Sequence, residues 1–171
     1  MKKLLLMLLP FLLLSSCMTM KSTPSHLVGF YNVTTSIETD KPFDEVWNKV
    51  IDYFATNGIP IATLEKASGL IVSNKVQLRD AVTVEQDGKP LDKNAYIVIP
   101  YAKNIIYKNV TSDFNVRVRE VDGKVVITVN LPNIEAERTI KPTGFVMVSA
   151  PENVEAKSTG VFENGLLNLF K

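Results

Sequence analysis

KPFDEVWNKVIDYFATNG, residues 41–58, is the stretch that decides the fold. Its apolar residues fall at Phe43, Val46, Trp47, Val50, Ile51 and Phe54, the spacing of a helix that buries one face. Asp44 and Glu45 sit in the first turn, where negative charge suits the helix dipole. Pro42 fits near the start, where its missing N–H costs nothing. Gly58 can take the left-handed conformation that closes a helix, and Ile59 can fold back on the last turn. Strand-like segments flank the helix on both sides, so a sheet is expected to wrap around it.

Upstream, Tyr31, Val33, Thr35 and Ile37 alternate with polar residues over 30–39, the period of a half-buried strand. Downstream, residues 59–64 and 70–78 read as strands joined by a turn over 65–69, with Leu70, Val72, Val76 and Leu78 on one side. Residues 79–94 are polar, with turn signals at Asp87-Gly88 and Lys89-Pro90 and a short strand over 81–85. Residues 95–101 are apolar and β-rich, with Pro100 restricted to an end or an edge; 102–111 fit neither period. The clearest hairpin is Phe114, Val116, Val118 and then Val125, Ile127, Val129, Leu131 around Asp122-Gly123. Residues 132–144 read as a polar connection ending in a Pro142-Thr143-Gly144 turn, and 145–149 as another strand. Ser158-Thr159 offers N-cap oxygens to a terminal helix carrying Val161, Phe162, Leu166, Leu167 and Phe170. Two helices cannot cover both faces of such a sheet. The expected fold is therefore α+β: an antiparallel, curved sheet of about five or six strands, packed on one long amphipathic helix plus a C-terminal helix.

The N-terminal residues carry a different signal. Lys2 and Lys3 precede an apolar run over 4–14 broken only by Pro10. Eleven helical residues span about 16 Å, against roughly 30 Å of hydrocarbon, so the run fits a signal peptide better than a transmembrane helix. Leu14-Ser15-Ser16-Cys17 follows and resembles a bacterial lipobox. The resemblance implies cleavage between Ser16 and Cys17, a diacylglyceryl group on the Cys17 sulfur and an N-acyl chain on its new amine. Two or three acyl chains anchor a protein stably where one would not. The chain then divides into a signal peptide (1–16), a lipidated cysteine with a flexible tether (17–29) and a single domain (30–171). Met18 rather than an aspartate follows Cys17, which by the same resemblance favours the outer membrane, on either its periplasmic or its surface face.

Removing residues 1–16 from the 171 leaves 155 and takes away Lys2 and Lys3, so 17 of the 19 basic residues face 18 acidic ones. That balance carries no footprint for nucleic acid. Cys17 is the one cysteine, so no internal disulfide can form.

The chain lacks GxSxG, HExxH, CxxC, P-loop and GxGxxG patterns. His26, the one histidine, lies in the expected tether and reads as solvated. Asp44 and Glu45 point in different directions on a helix and read as dipole partners, not an acid/base pair. Glu135 and Glu137 could share a face, but no third oxygen ligand accompanies them. No catalytic residue, metal site or cofactor other than the covalent lipid is expected. Asn32-Val33-Thr34 and Asn109-Val110-Thr111 match the glycosylation acceptor pattern, which a bacterial lipobox makes irrelevant. Arg117, Arg119 and Lys124 can form a basic stripe on the outer hairpin face, and Tyr96 and Tyr101, with Tyr107, an aromatic surface. Together these residues are the candidate interaction surface. Trp47, on the apolar stripe, reads as core.

The pattern over residues 33–75, with Asp44, Val46, Trp47, Gly58, Ile59 and Gly69, resembles the helix-grip domains of bacterial envelope lipoproteins, among them the accessory lipoprotein of the β-barrel assembly machinery. These are fold positions, and the resemblance transfers no functional residue. The expectation is a membrane-anchored, non-catalytic envelope lipoprotein that binds another envelope protein as an interaction or assembly module. The alternative is a carrier or sensor of a small apolar ligand held in a groove between helix and sheet.

Overall fold

The computed structural model describes residues 26–102, 105–140 and 152–171. The expected signal peptide, the Leu14–Cys17 motif, most of the expected tether, the Pro142-Thr143-Gly144 turn and the strand expected over 145–149 lie outside the described residues.

In chain order the elements are β1 (Ser36–Thr39), α1 (Phe43–Thr56), β2 (Ile61–Glu65), β3 (Leu70–Ser73), β4 (Val76–Gln77), β5 (Val82–Gln86), β6 (Lys89–Pro90), β7 (Ile97–Pro100), β8 (Ile105–Ser112), β9 (Asn115–Val121), β10 (Lys124–Asn130), β11 (Glu135–Ile140), β12 (Glu152–Asn153), β13 (Lys157–Ser158) and α2 (Val161–Leu167), which runs into a 3₁₀ turn, Asn168–Phe170. The class is α+β and the pairing mostly antiparallel. The expected single sheet is instead three among the described residues: a five-stranded sheet β1-β10-β9-β3-β2, a four-stranded sheet β12-β11-β8-β4, and a four-stranded sheet β13-β7-β5-β6. In the third, β5 and β7 run parallel.

The first sheet follows from local signals. Helix α1 ends as its sequence dictates: Gly58, at φ +65°, donates to the Ala55 carbonyl, and Ile59 donates back to the Phe54 carbonyl, the paired bonds of a Schellman motif. Ile59 is buried. Val46, Trp47, Val50 and Phe54 are all buried, and the helix lies against β9. The β9–β10 hairpin turns at Asp122 (φ 49°) and Gly123 (φ 77°), with Val121 opposite Lys124, the two-residue turn whose twist matches the strands. Val116, Val118, Val125, Ile127 and Val129 face inward from it.

Several expectations are corrected. The strand expected over 30–39 is confined to β1. The run 70–78 is not one strand: it breaks at Asn74-Lys75 and passes from the first sheet to the second. Within β3 the buried residues are Ile71 and Ser73, while Leu70 and Val72 are half-buried on the opposite face. Lys89-Pro90 is paired as β6 and is not itself a turn; the turn is Asp87-Gly88, both at positive φ. The ambiguous stretch 102–111 supplies β8, and the polar connection supplies β11, where Ala136, Arg138 and Thr139 are buried. Gly160, at φ +86°, occupies the N-cap position of α2 in place of Ser158 or Thr159. The Ser158 hydroxyl accepts from the amide of Gly160 itself, two residues on.

The sheets meet at Phe162. Its ring centroid lies 4.5 Å from Phe114, 5.6 Å from both Tyr53 and Tyr96, and 6.3 Å from Phe54. The edge-on rings fill the space under α1 with side chains.

Candidate functional site

A groove of about 670 Å³ opens where the start of α1, the β2–β3 turn and the end of β9 meet. Phe43 and Asp44 come from α1, Lys66 and Gly69 from the turn, and Arg117 and Arg119 from β9. Gly69 permits the close crossing: at φ +68° its carbonyl accepts from the Val118 amide at 2.8 Å, and a Cβ there would collide with the Val118 carbonyl oxygen. The Phe43 ring stacks on Trp47 at 5.9 Å, which fixes an apolar wall. Lys66 pairs with Asp44 at 2.8 Å, both well exposed. Arg117 and Arg119 are exposed. The site therefore combines a fixed aromatic wall with guanidinium groups suited to carboxylates and backbone carbonyls.

Of the residues expected to form an interaction surface, the structure brings two to this groove. Lys124 shares the outer face of the hairpin with Arg117 and Arg119, since residues 124, 126 and 128 stand opposite 121, 119 and 117. It pairs with Glu38 at 3.7 Å, which breaks the basic stripe. The tyrosines do not form one surface. Tyr96 packs edge-on against Phe114 and Phe162 in the core, Tyr101 is 61% exposed, and the Tyr107 hydroxyl donates to the Pro100 carbonyl. The reason is the buried β7: Tyr96 precedes it and Tyr101 follows it, at opposite ends of a four-residue strand.

Two buried carboxylates were not anticipated. Glu85 on β5, 6% exposed, receives the chain just ahead of the first sheet. Its Oε1 accepts from the Val28 amide at 2.9 Å, and its Oε2 from the Gly29 amide at 2.8 Å and the Tyr31 hydroxyl at 2.7 Å. Burial pushes this carboxyl up, but the Tyr31 hydroxyl and the two amides outweigh it, and the group titrates below the ordinary range. Burial also raises the Tyr31 phenol, helped by its bond to Glu85 and by that charge. The Leu27 amide donates to Glu155, Leu27 is buried, and exposed His26 lies 3.5 Å from Glu155. Residues 27–29, expected in the tether, are thus bound to the domain as a strap.

The second carboxylate, Glu163, is 2% exposed and accepts from the Ser158 hydroxyl at 2.9 Å. Burial raises it above the ordinary carboxyl range, with the Ser158 bond opposing. The nearby Tyr53 phenol is pushed up to about 12 by burial first, then by Tyr96 and Glu163. The sequence signal for both carboxylates was a lone acid inside an apolar run, Val-Thr-Val-Glu and Val-Phe-Glu.

Among the described residues no cluster of three or more His, Cys, Asp or Glu could hold a metal ion, and no helix is long and apolar enough to cross a membrane. No protein-family model matches the chain, and no curated protein matches it.

Proposed function

We propose that this protein is a membrane-anchored, non-catalytic lipoprotein of the cell envelope, held through lipid on Cys17, whose helix-grip-like half binds an extended segment of another envelope protein. The observation that carries the reading is the groove between α1, the β2–β3 turn and β9. Its aromatic wall is Phe43, backed by buried Trp47, and exposed Arg117 and Arg119 stand beside it to meet a polar or acidic chain. Hot spots of protein interfaces favour this pairing of aromatic and arginine. The anchor half of the proposal is supported by residues 1–17, a positive start, a short apolar run and Leu-Ser-Ser-Cys.

Chemical cross-linking in living cells, wild type beside the Arg117→Glu/Arg119→Glu double variant, tests it. Both side chains are exposed, so the variant should fold and fractionate with membranes as the wild type does, while a discrete cross-linked partner disappears. An unchanged cross-linked pattern in the variant would refute the groove as the binding surface.

A further inference from the structure

The strap that precedes the first sheet has an alternation with no structural use. Leu27 is buried, Gly29 turns inward so closely that a Cβ would collide with the Gly88 carbonyl oxygen, and the Tyr31 hydroxyl reaches Glu85. The odd positions therefore face the domain and the even ones face water. The even ones are Val28 and Phe30, 84% and 91% exposed, the two most exposed large apolar side chains among the described residues. Nothing about the strap's attachment needs them, because it is held by main-chain amides, Leu27 and Tyr31. Leu91, 66% exposed, follows the β5–β6 hairpin whose turn receives Gly29.

We infer that Val28 and Phe30 insert into the lipid surface to which Cys17 is attached, so that the strap seats the domain on the membrane in one orientation. This rests on the lipid-anchor half of the proposed function. Val28 is eleven positions on from Cys17, a span of at most about 40 Å when fully extended and roughly 20 Å as a random coil. Among the described residues, no other exposed large apolar side chain stands so near the anchor in the chain. A valine and a phenylalanine would hold a free protein on a bilayer only weakly. On a tether of this length the encounter is intramolecular, and the effective concentration of lipid surface makes weak insertion count. Rigidity adds to this, because three bonds to one buried carboxylate fix the pair before contact. The charges nearby are mixed, Asp87 and Asp92 with Lys89 and Lys93, so burial of apolar surface drives the contact and added salt should leave it in place.

The test uses the full chain, processed in its own host, purified in detergent and reconstituted into vesicles of zwitterionic phospholipid with brominated acyl chains. The Phe30→Trp variant places a fluorophore on the strap without touching the strap's bonds, and Val121→Trp at the β9–β10 turn is its counterpart. Native Trp47 is 4% exposed and gives a constant background. Insertion about 5–10 Å into the headgroup and acyl boundary predicts at least about twofold quenching and a blue shift for Phe30→Trp. Val121→Trp should show neither, and 0.5 M salt should not reverse the effect. Intact mass is measured on the same samples. Acylated protein with an unquenched strap fluorophore would overturn the insertion alone, pointing to a protein as the occupant of the pair. Equal quenching at both positions would overturn the fixed orientation. A chain without acyl mass would overturn the anchor reading, and the insertion with it.

Discussion

Replacing Glu85 with Gln should release the strap while leaving the rest of the fold standing. The carboxylate presents two acceptor oxygens to three donors, at 2.7 to 2.9 Å. A glutamine of the same shape offers one oxygen and one NH₂ group. If its oxygen takes Gly29 and Tyr31, the NH₂ group faces the Val28 amide, and two donors confront each other; the reverse placement sets NH₂ against Gly29. Each arrangement leaves a half-buried amide without an acceptor, at about 1–3 kcal/mol, and weakens the remaining bonds by removing the charge.

The strap has little reserve against that loss. Bonds to a charged group contribute about 1.5–3 kcal/mol each, and burial of Leu27 about 2 kcal/mol. Ordering the backbone of residues 27–31 costs about 1–2 kcal/mol per residue. The balance is a few kcal/mol in favour of the closed strap, so losing about 2 kcal/mol opens it often. Amide hydrogen exchange reads this directly: exchange at Val28 and Gly29 should accelerate roughly 30-fold in Glu85→Gln, with the β9–β10 amides unchanged. Acid should have the same effect on the wild type. A carboxyl held below its ordinary value of 4.5 contributes stability that is complete above that value and is lost as pH falls through the folded-state value. Strap exchange within about threefold of wild type in Glu85→Gln, at a site this dependent on one charge, would refute the reasoning.

Glu163→Gln should act in the opposite sense. Because burial raises the Glu163 carboxyl above its ordinary value of 4.5, its contribution is fully present below that value and is lost as pH rises through the folded-state value; the variant's melting temperature should therefore fall less than wild type's between pH 4 and pH 8, and an unchanged slope would remove Glu163 as the cause. Phe162→Ala should cost about 3–5 kcal/mol, read as a lower urea midpoint, since its ring is fully buried among four others; a loss below about 1 kcal/mol would mean that the surrounding rings collapse into its place.

What the sequence made legible was whatever is set within one or two turns of chain. The α1 stripe, the Gly58-Ile59 ending and the Asp122-Gly123 hairpin depend on neighbours a few residues away, and each stands where its local chemistry puts it. The partition into three sheets was not legible, because it depends on pairings such as β5 with β7 and β13 with β7, whose partners are set by the whole chain. β11 was hidden by composition. Glu-Ala-Glu-Arg-Thr has the alternation of a strand but too few apolar residues to announce it, and its buried residues include Arg138 and Thr139. Of the candidate interaction residues, Arg117 and Arg119 were readable from the period-2 pattern of β9. Tyr96 was not, since an isolated tyrosine before an apolar strand carries no mark of which way its ring turns. The strap was hidden most completely: its donors stand 54 to 57 residues from Glu85.

The two proposed surfaces sit on different sheets, and this gives the aromatic cluster its consequence. The groove belongs to the sheet that carries α1 and β9, while the strap is bound to Glu85 on β5 of the third sheet. A domain seated on a membrane by its strap presents its groove in a defined direction only if these sheets do not turn against each other. Phe162 touches rings from both sides of that junction, Phe54 and Tyr53 on α1, Phe114 just before β9, and Tyr96 just before β7. Edge-to-face rings at these separations interlock, and a packed interior deforms little under small forces. The position of one side chain near the C-terminus thus couples the proposed anchoring element to the proposed binding groove, assembled from the middle of the chain.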